Sequence, residues 1–187
     1  MARNSQNEKA QNHERIVDIA AARIRESGTA TPGVAEIMHA AGLTHGGFYK
    51  HFDSRDELIA EAVDRALAEN REAIAAVTEG ADDPLAAFVD WYVSGEHRDS
   101  PASGCGVVAL AGEVARGDGR VRAAYTEQVK RYLDYIEELL GGAGPETRRQ
   151  ATVLLSTLVG SVLVARAVDD SDLSDEIIDD VRATLAK

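Results

Sequence analysis

Apolar residues recur three and four positions apart along most of this chain, between short polar, glycine or proline runs. Ile16, Ile19, Ala20 and Ile24 make the first such stripe, which predicts a helix from about Lys9 to Ser27 closed by Gly28. Residues 1–8 are polar and aperiodic and are expected to form a flexible arm. Val34, Ile37, Met38 and Ala41 mark a second helix, with Thr31 as its N-cap, Pro32 at its first position and Gly42 as its stop. Leu43 plugs the corner, and Thr44 caps a short third helix ending at Phe52. Ser54 and Glu57 have capping-box spacing. They precede Leu58, Ile59, Ala62, Val63, Ala66, Leu67 and Ile74, which predict a long helix from about Arg55 to Val77.

Beyond a loop at 78–84, further helices are expected over about 85–96, 107–116, 120–140, 146–168 and 174–186, with an irregular stretch at 97–106. Between Ala151 and Val168 only Arg166 is charged, a length that approaches a membrane span. Thr152, Ser156, Thr157 and Ser161 favour instead a helix buried in the fold or in a subunit interface. Ser156, Val159, Gly160 and Leu163 on this helix, with Ile177 and Val181 on the last one, are candidates for half of a four-helix bundle completed by a second chain. Strand alternation and internal repeats are absent. The fold class is therefore all-α, about nine helices, with a small head leading through the long helix into a second domain.

The nine residues Thr44–Phe52 carry the chemistry. At about 100° per residue, Phe48 and Phe52 share one face of a helix, while His45, Gly46, Tyr49 and Lys50 lie toward the other. One side is an aromatic anchor; the other offers donors, a cation and a position without a side chain. Gly46-Gly47 inside a helix costs roughly 1 kcal/mol per residue against Ala. That cost is tolerated where something must approach the backbone, as a DNA groove does. The same pair also suits a loop. The helix and glycine turn just upstream favour a helix-turn-helix, whose second helix enters the major groove. Arg55, in the first turn of the next helix, is placed to reach a phosphate.

Charge changes this picture only in its distribution. The chain has a formal net charge of −12. Residues 1–55 hold seven Lys/Arg against six Asp/Glu and four of the five histidines, whereas 56–187 hold 13 against 26. The acidity belongs to the C-terminal part, so the head approaches phosphate without a large repulsive field of its own. One cysteine excludes an internal disulfide framework and fits a reducing, cytoplasmic setting.

The block TPGVAEIMHAAGLTHGGFYKHFDSRDEL, Thr31 to Leu58, resembles the TetR family of bacterial transcriptional regulators. The resemblance rests on the Ala41-Gly42-Leu43-Thr44 turn, the run from Gly46 to Phe52, and the Ser54-Arg55-x-x-Leu58 start of the next helix. It covers about the first 60 residues. Members usually have Ile-Ala where this chain has Ile37-Met38, a core variation. GLTHGGFY is also similar to a subgroup that includes reactive-electrophile regulators. The resemblance implies base contacts at His45, Gly46 and Gly47, and phosphate contacts at Thr31, Thr44, Tyr49, Lys50 and His51. It also implies a DNA-binding domain over 9–70, with its helix-turn-helix at about 33–52, and a ligand-binding, dimerising domain over 71–187. With glycines at base-facing positions, DNA shape and backbone contacts are expected to supply much of the specificity.

The other candidates are weaker. Phe88, Trp91, Tyr92 and Tyr125, with Tyr132, are aromatics that line either a ligand pocket, together with Cys105, or simply the core. Cys105, just before a helix, is either a thiol sensor of electrophiles or oxidants or a small residue filling a tight gap. The histidines lack metal-ligand spacing, and no phosphate loop, nucleophile elbow or zinc motif is present, so neither an enzyme, a metal nor a cofactor is expected. The combined reading is a homodimeric repressor. It binds a pseudo-palindromic double-stranded operator and is released by a small-molecule inducer, with no membrane involved. The alternatives are a thiol-sensing repressor working through Cys105 and a dimeric helical adaptor that no longer binds DNA.

Overall fold

A computed structural model describes residues 2–28, 33–68, 70–115 and 119–185. Among them lie α1 (Ala2–Ser27), α2 (Val34–Ala40), a 3-10 segment (His45–Lys50), α3 (Arg55–Ala68), α4 (Asn70–Thr78), α5 (Pro84–Tyr92) and α6 (Gly95–Asp99). A second 3-10 segment (Pro101–Ser103), α7 (Gly106–Val114), α8 (Gly119–Leu139), α9 (Pro145–Ala167) and α10 (Ser171–Leu185) follow. The described residues contain no strand, and the fold class is all-α as the periodicity indicates.

The departures from expectation have local causes. The arm expected over residues 1–8 is helical from Ala2 onward. Residues 6–11 are exposed, so no apolar stripe announces this part of α1. Gly33 is extended (φ −73°, ψ 137°), so α2 starts at Val34 rather than at Pro32. Thr31 and Pro32, with the expected cap and phosphate contact, lie outside the described residues. The helix expected over 85–96 stops at Tyr92, because the Ser94 hydroxyl accepts the His97 N–H (3.1 Å) and starts α6. The stretch expected to be irregular thus holds α6 and a 3-10 turn. Asp170 likewise starts α10 three residues early, its carboxylate accepting the N–H groups of Asp172 and Leu173. The helix expected over 55–77 is described as α3 and α4 on either side of residue 69.

One contiguous core runs through the molecule. Ile16, Val17, Ala20, Ala21 and Ile24 of α1 are buried on α3, where Leu58, Ala62, Val63 and Ala66 face them. The body packs α4 on α5, α3 on α8, and α8 and α10 on α9. Helix α9 is long and apolar enough to cross a membrane by length and composition. In the fold it buries one face, through Ala151, Leu155, Leu158, Val162 and Ala165, and exposes Val153, Leu163 and Val164 on the other.

Head and body meet at three tight points. Arg25, buried near the end of α1, donates to the Ala102 carbonyl (2.5 Å). Gly28, at φ +82°, leaves the space that the Glu113 carboxylate occupies. Gly106 lies against the α3 backbone so closely that a methyl group there would run into the Ala66 carbonyl.

Candidate nucleic-acid interface

Helix α2 ends in a Schellman turn. Gly42 sits at φ +73°, its N–H donates to the His39 carbonyl (2.9 Å), and the Leu43 N–H reaches back to the Met38 carbonyl (2.8 Å). Leu43 packs onto the core beside buried Met38. The Arg15 guanidinium holds the corner from α1 by donating to the Ala41 carbonyl (3.3 Å). This rigid corner aims the segment that follows.

That segment is a tight 3-10 turn over His45–Lys50, not the α-helix expected through Phe52. Gly47 N–H bonds to the Thr44 carbonyl and His51 N–H to the Phe48 carbonyl, both three residues back and both 2.9 Å. Two glycines supply little intrinsic preference for the wider helix, which accounts for the tighter winding. The expected orientation is present all the same. Phe48 and Phe52 are each 2% exposed and stack at 5.5 Å, while Tyr49 is 73% exposed. His45, Gly46 and Lys50 are exposed with it, as are Thr44 and Arg55; Gly47 and His51 are half-buried.

Neither glycine has a positive φ. A Cβ at Gly46 would meet nothing within 4 Å, and at Gly47 only ordinary contacts at 3.7 Å. The fold itself therefore does not demand glycine here.

Behind this surface lies a cluster the sequence reasoning missed. His13 of α1 stacks on Phe52 at 4.5 Å and its Nε2 donates to the Glu61 carboxylate of α3 (2.8 Å). Burial holds the His51 imidazole below its ordinary pKa, and His13, Lys9 and Lys50 add to the effect. Its Nδ1 is buried with no hydrogen-bond partner. His13 belongs to no motif and lies 39 positions before Phe52, so only the stripe of α1 hinted that it faces inward.

In the body, the aromatic candidates are mostly core. Phe88, Tyr92 and Cys105 are fully buried, Trp91 is half-buried and stacks on His97 at 5.2 Å, and the Tyr125 hydroxyl donates to the Val107 carbonyl (3.0 Å). Burial pushes the Tyr125 phenol up to about 12. The Cys105 N–H donates to His97 Nε2 (2.9 Å), and His97 Nδ1–H donates to the Tyr92 carbonyl (2.7 Å). The thiol itself sits 3.5 Å from the Tyr132 hydroxyl. An electrophile would reach it only by unpacking the core.

A cavity of about 360 Å³ opens elsewhere, between α4 and α8. Ile74, Ala75, Tyr132 and Tyr135 form its walls; of the expected pocket residues Tyr132 is among them, whereas Phe88, Trp91, Tyr92, Cys105 and Tyr125 are not. Of the expected interface residues, Ser156 and Leu163 are exposed and Val159, Gly160, Ile177 and Val181 half-buried. Exposed Val153, Val164 and Leu173 extend that apolar face.

A rigid helix-turn-helix corner with an exposed, partly bare second element defines a DNA-binding regulator rather than a catalyst. Residues 16–62 match the model of the family described as bacterial regulatory proteins, tetR family. A helix-turn-helix-type transcriptional regulator of Mycobacterium tuberculosis is 30% identical over 166 residues, covering 84% of this chain and 85% of its own. The chain belongs to the TetR family of transcriptional regulators. The fold is similar along its whole length to a TetR transcriptional regulator from Chloroflexus aurantiacus, with a TM-score of 0.81, 24% identity and 97% of each chain covered. It is also similar to the reduced form of NemR from E. coli, with a TM-score of 0.77, 19% identity and 94% and 95% of the two chains covered.

Proposed function

We propose that this regulator is a ligand-responsive repressor that binds its operator as a homodimer. The carrying observation is the outward face of the 45–50 segment, where Gly46 leaves open space beside exposed Tyr49 and Lys50 over buried Phe48 and Phe52. In this reading the backbone at Gly46 and Gly47 and the His45 side chain approach base edges. Thr44, Tyr49, Lys50 and His51 contact phosphates, joined by Arg55 and by Thr31. The apolar face of α9 and α10 pairs two chains, so that two heads meet successive major grooves of a pseudo-palindromic site. An inducer seated between α4 and α8 acts on a wall that follows α3 in the chain, and α3 begins directly behind the DNA-facing segment. Its leverage equals its difference in affinity for the two states.

A gel shift with DNA from upstream of the protein's own gene tests the reading. Binding is expected in the wild type, with Tyr49→Phe weaker and Lys50→Ala lowering the salt slope by about one. If the wild type shifts no fragment of that DNA and the two variants behave like it, the chain is an adaptor rather than an operator-bound repressor.

A further inference from the structure

The cavity between α4 and α8 carries a chemical signature at its mouth. Its walls are apolar, and the hydroxyls on them are already committed: Tyr135 donates to Thr78 Oγ1 (2.7 Å), which donates to the Ile74 carbonyl (2.9 Å). Beyond the Gln128 amide, little on the walls is left to bind a polar body, so the interior selects apolar mass. Two charged residues reach the rim, Arg131 from α8 and Glu79 just beyond α4. Arg131 is exposed and makes no ion pair among the described residues, whereas Arg65, Arg98, Arg148, Arg149 and Arg182 all do. A guanidinium with free donors beside an apolar chamber matches a carboxylate, which accepts two parallel N–H bonds from its fork. Glu79, on the same rim and likewise unpaired among the described residues, sets the limit. A second negative charge on the ligand would meet its carboxylate, in a body whose net charge is strongly negative.

We propose that this cavity binds an apolar monocarboxylic acid, the tail between α4 and α8 and the carboxylate on Arg131, and that Glu79 excludes dianions such as alkyl phosphates. The proposal deepens the inducer reading given above and rests on it for its biological consequence. The volume of about 360 Å³ suits a medium-length aliphatic or single-ring acid.

Calorimetric titration of the full chain with decanoate, decanol and decyl phosphate tests the chemistry. Decanoate is expected to bind at least about tenfold more tightly than either analogue, a difference of about 1.4 kcal/mol. Arg131→Gln should bring decanoate down to the level of decanol while leaving decanol unchanged. Glu79→Gln should narrow the gap between decanoate and decyl phosphate. Ala75→Trp, at an exposed wall position, should abolish binding of all three while the helical circular dichroism signal stays intact. Equal binding of decanoate and decanol by the wild type, or decanoate binding that survives either Arg131→Gln or Ala75→Trp, overturns the proposal. An operator gel shift separates the two readings. Decanoate that binds without releasing DNA leaves the site assignment standing and removes the inducer role. Release by some other compound, with no decanoate binding, removes the site assignment alone.

Discussion

His97 is a residue whose surroundings decide its behaviour. It lies at the centre of a knot, with Trp91 on one ring face, Tyr92 and Cys105 on its two nitrogens, and its own carbonyl accepting from Arg166 (2.5 Å). Burial lowers its pKa, the bond to the Tyr92 carbonyl opposes this, and the Arg166 charge adds to the lowering. The sign follows directly. A histidine whose folded pKa lies below its unfolded value binds fewer protons in the native state, so stability rises with pH through that window. Its contribution is complete above the unfolded value of about 6.5 and fades as pH falls below it. Thermal melts between neutral and mildly acidic pH should show a falling midpoint, and the slope should flatten in His97→Asn. A slope unchanged by that substitution would show that His97 does not govern it. Nothing in the sequence marked His97 for this role. It stands in a stretch without periodicity, and its partners come from positions 91, 92, 105 and 166.

At the scale of elements, what the sequence made legible was what local rules govern. The stripe of α1, the glycine turn at Gly42 and the serine cap of α3 all stand as read; the Ser54 hydroxyl accepts the Glu57 N–H at 3.1 Å, and the Glu57 carboxylate turns back to the Asp53 N–H at 2.6 Å. The failures lie where tertiary packing or a competing cap outweighs periodicity. The 45–50 segment keeps its expected faces yet winds as a 3-10 turn, and Ser94 divides what the apolar pattern joined. The expected aromatics divide between core and cavity because helical spacing signals both alike. Only the arrangement in space shows that Tyr132, with Tyr135, lines the cavity between α4 and α8 while Phe88 and Trp91 do not. Close approach of elements is equally invisible in one dimension. Gly106 appears as an ordinary helix-start glycine, yet a methyl there would lie 2.9 Å from the Ala66 carbonyl carbon and 3.2 Å from Leu67 Cα. Gly106→Ala must push α7 off α3, and overpacking of this kind costs about 1–3 kcal/mol. Chemical denaturation should find that loss. Full stability in the variant would mean that α3 and α7 slide freely and cannot couple the body to the head.

At the scale of the molecule, the charge asymmetry and the apolar face determine how the chain meets its partners. The acidic body would be driven from DNA, and the head, near neutral overall, is what remains to approach it. Val153, Leu163, Val164 and Leu173 stay exposed on α9 and α10, with Val153 at 63%, and this patch is the surface through which the proposed dimer would pair. If the proposed dimer pairs there, Leu163→Glu should leave a monomer in sedimentation and weaken operator binding with it; a dimer that persists would place the interface elsewhere. Pairing the heads matters only if each one presses its bare leading edge against the duplex, and this is the claim on which the account depends. The most direct measurement is operator affinity and melting temperature side by side for Gly46→Ala. The expected result is an unchanged or raised melting temperature, because the added methyl meets open space, together with operator binding weakened by about tenfold or more, equivalent to about 1.4 kcal/mol. Operator affinity equal to that of the wild type in a stably folded Gly46→Ala chain would contradict it.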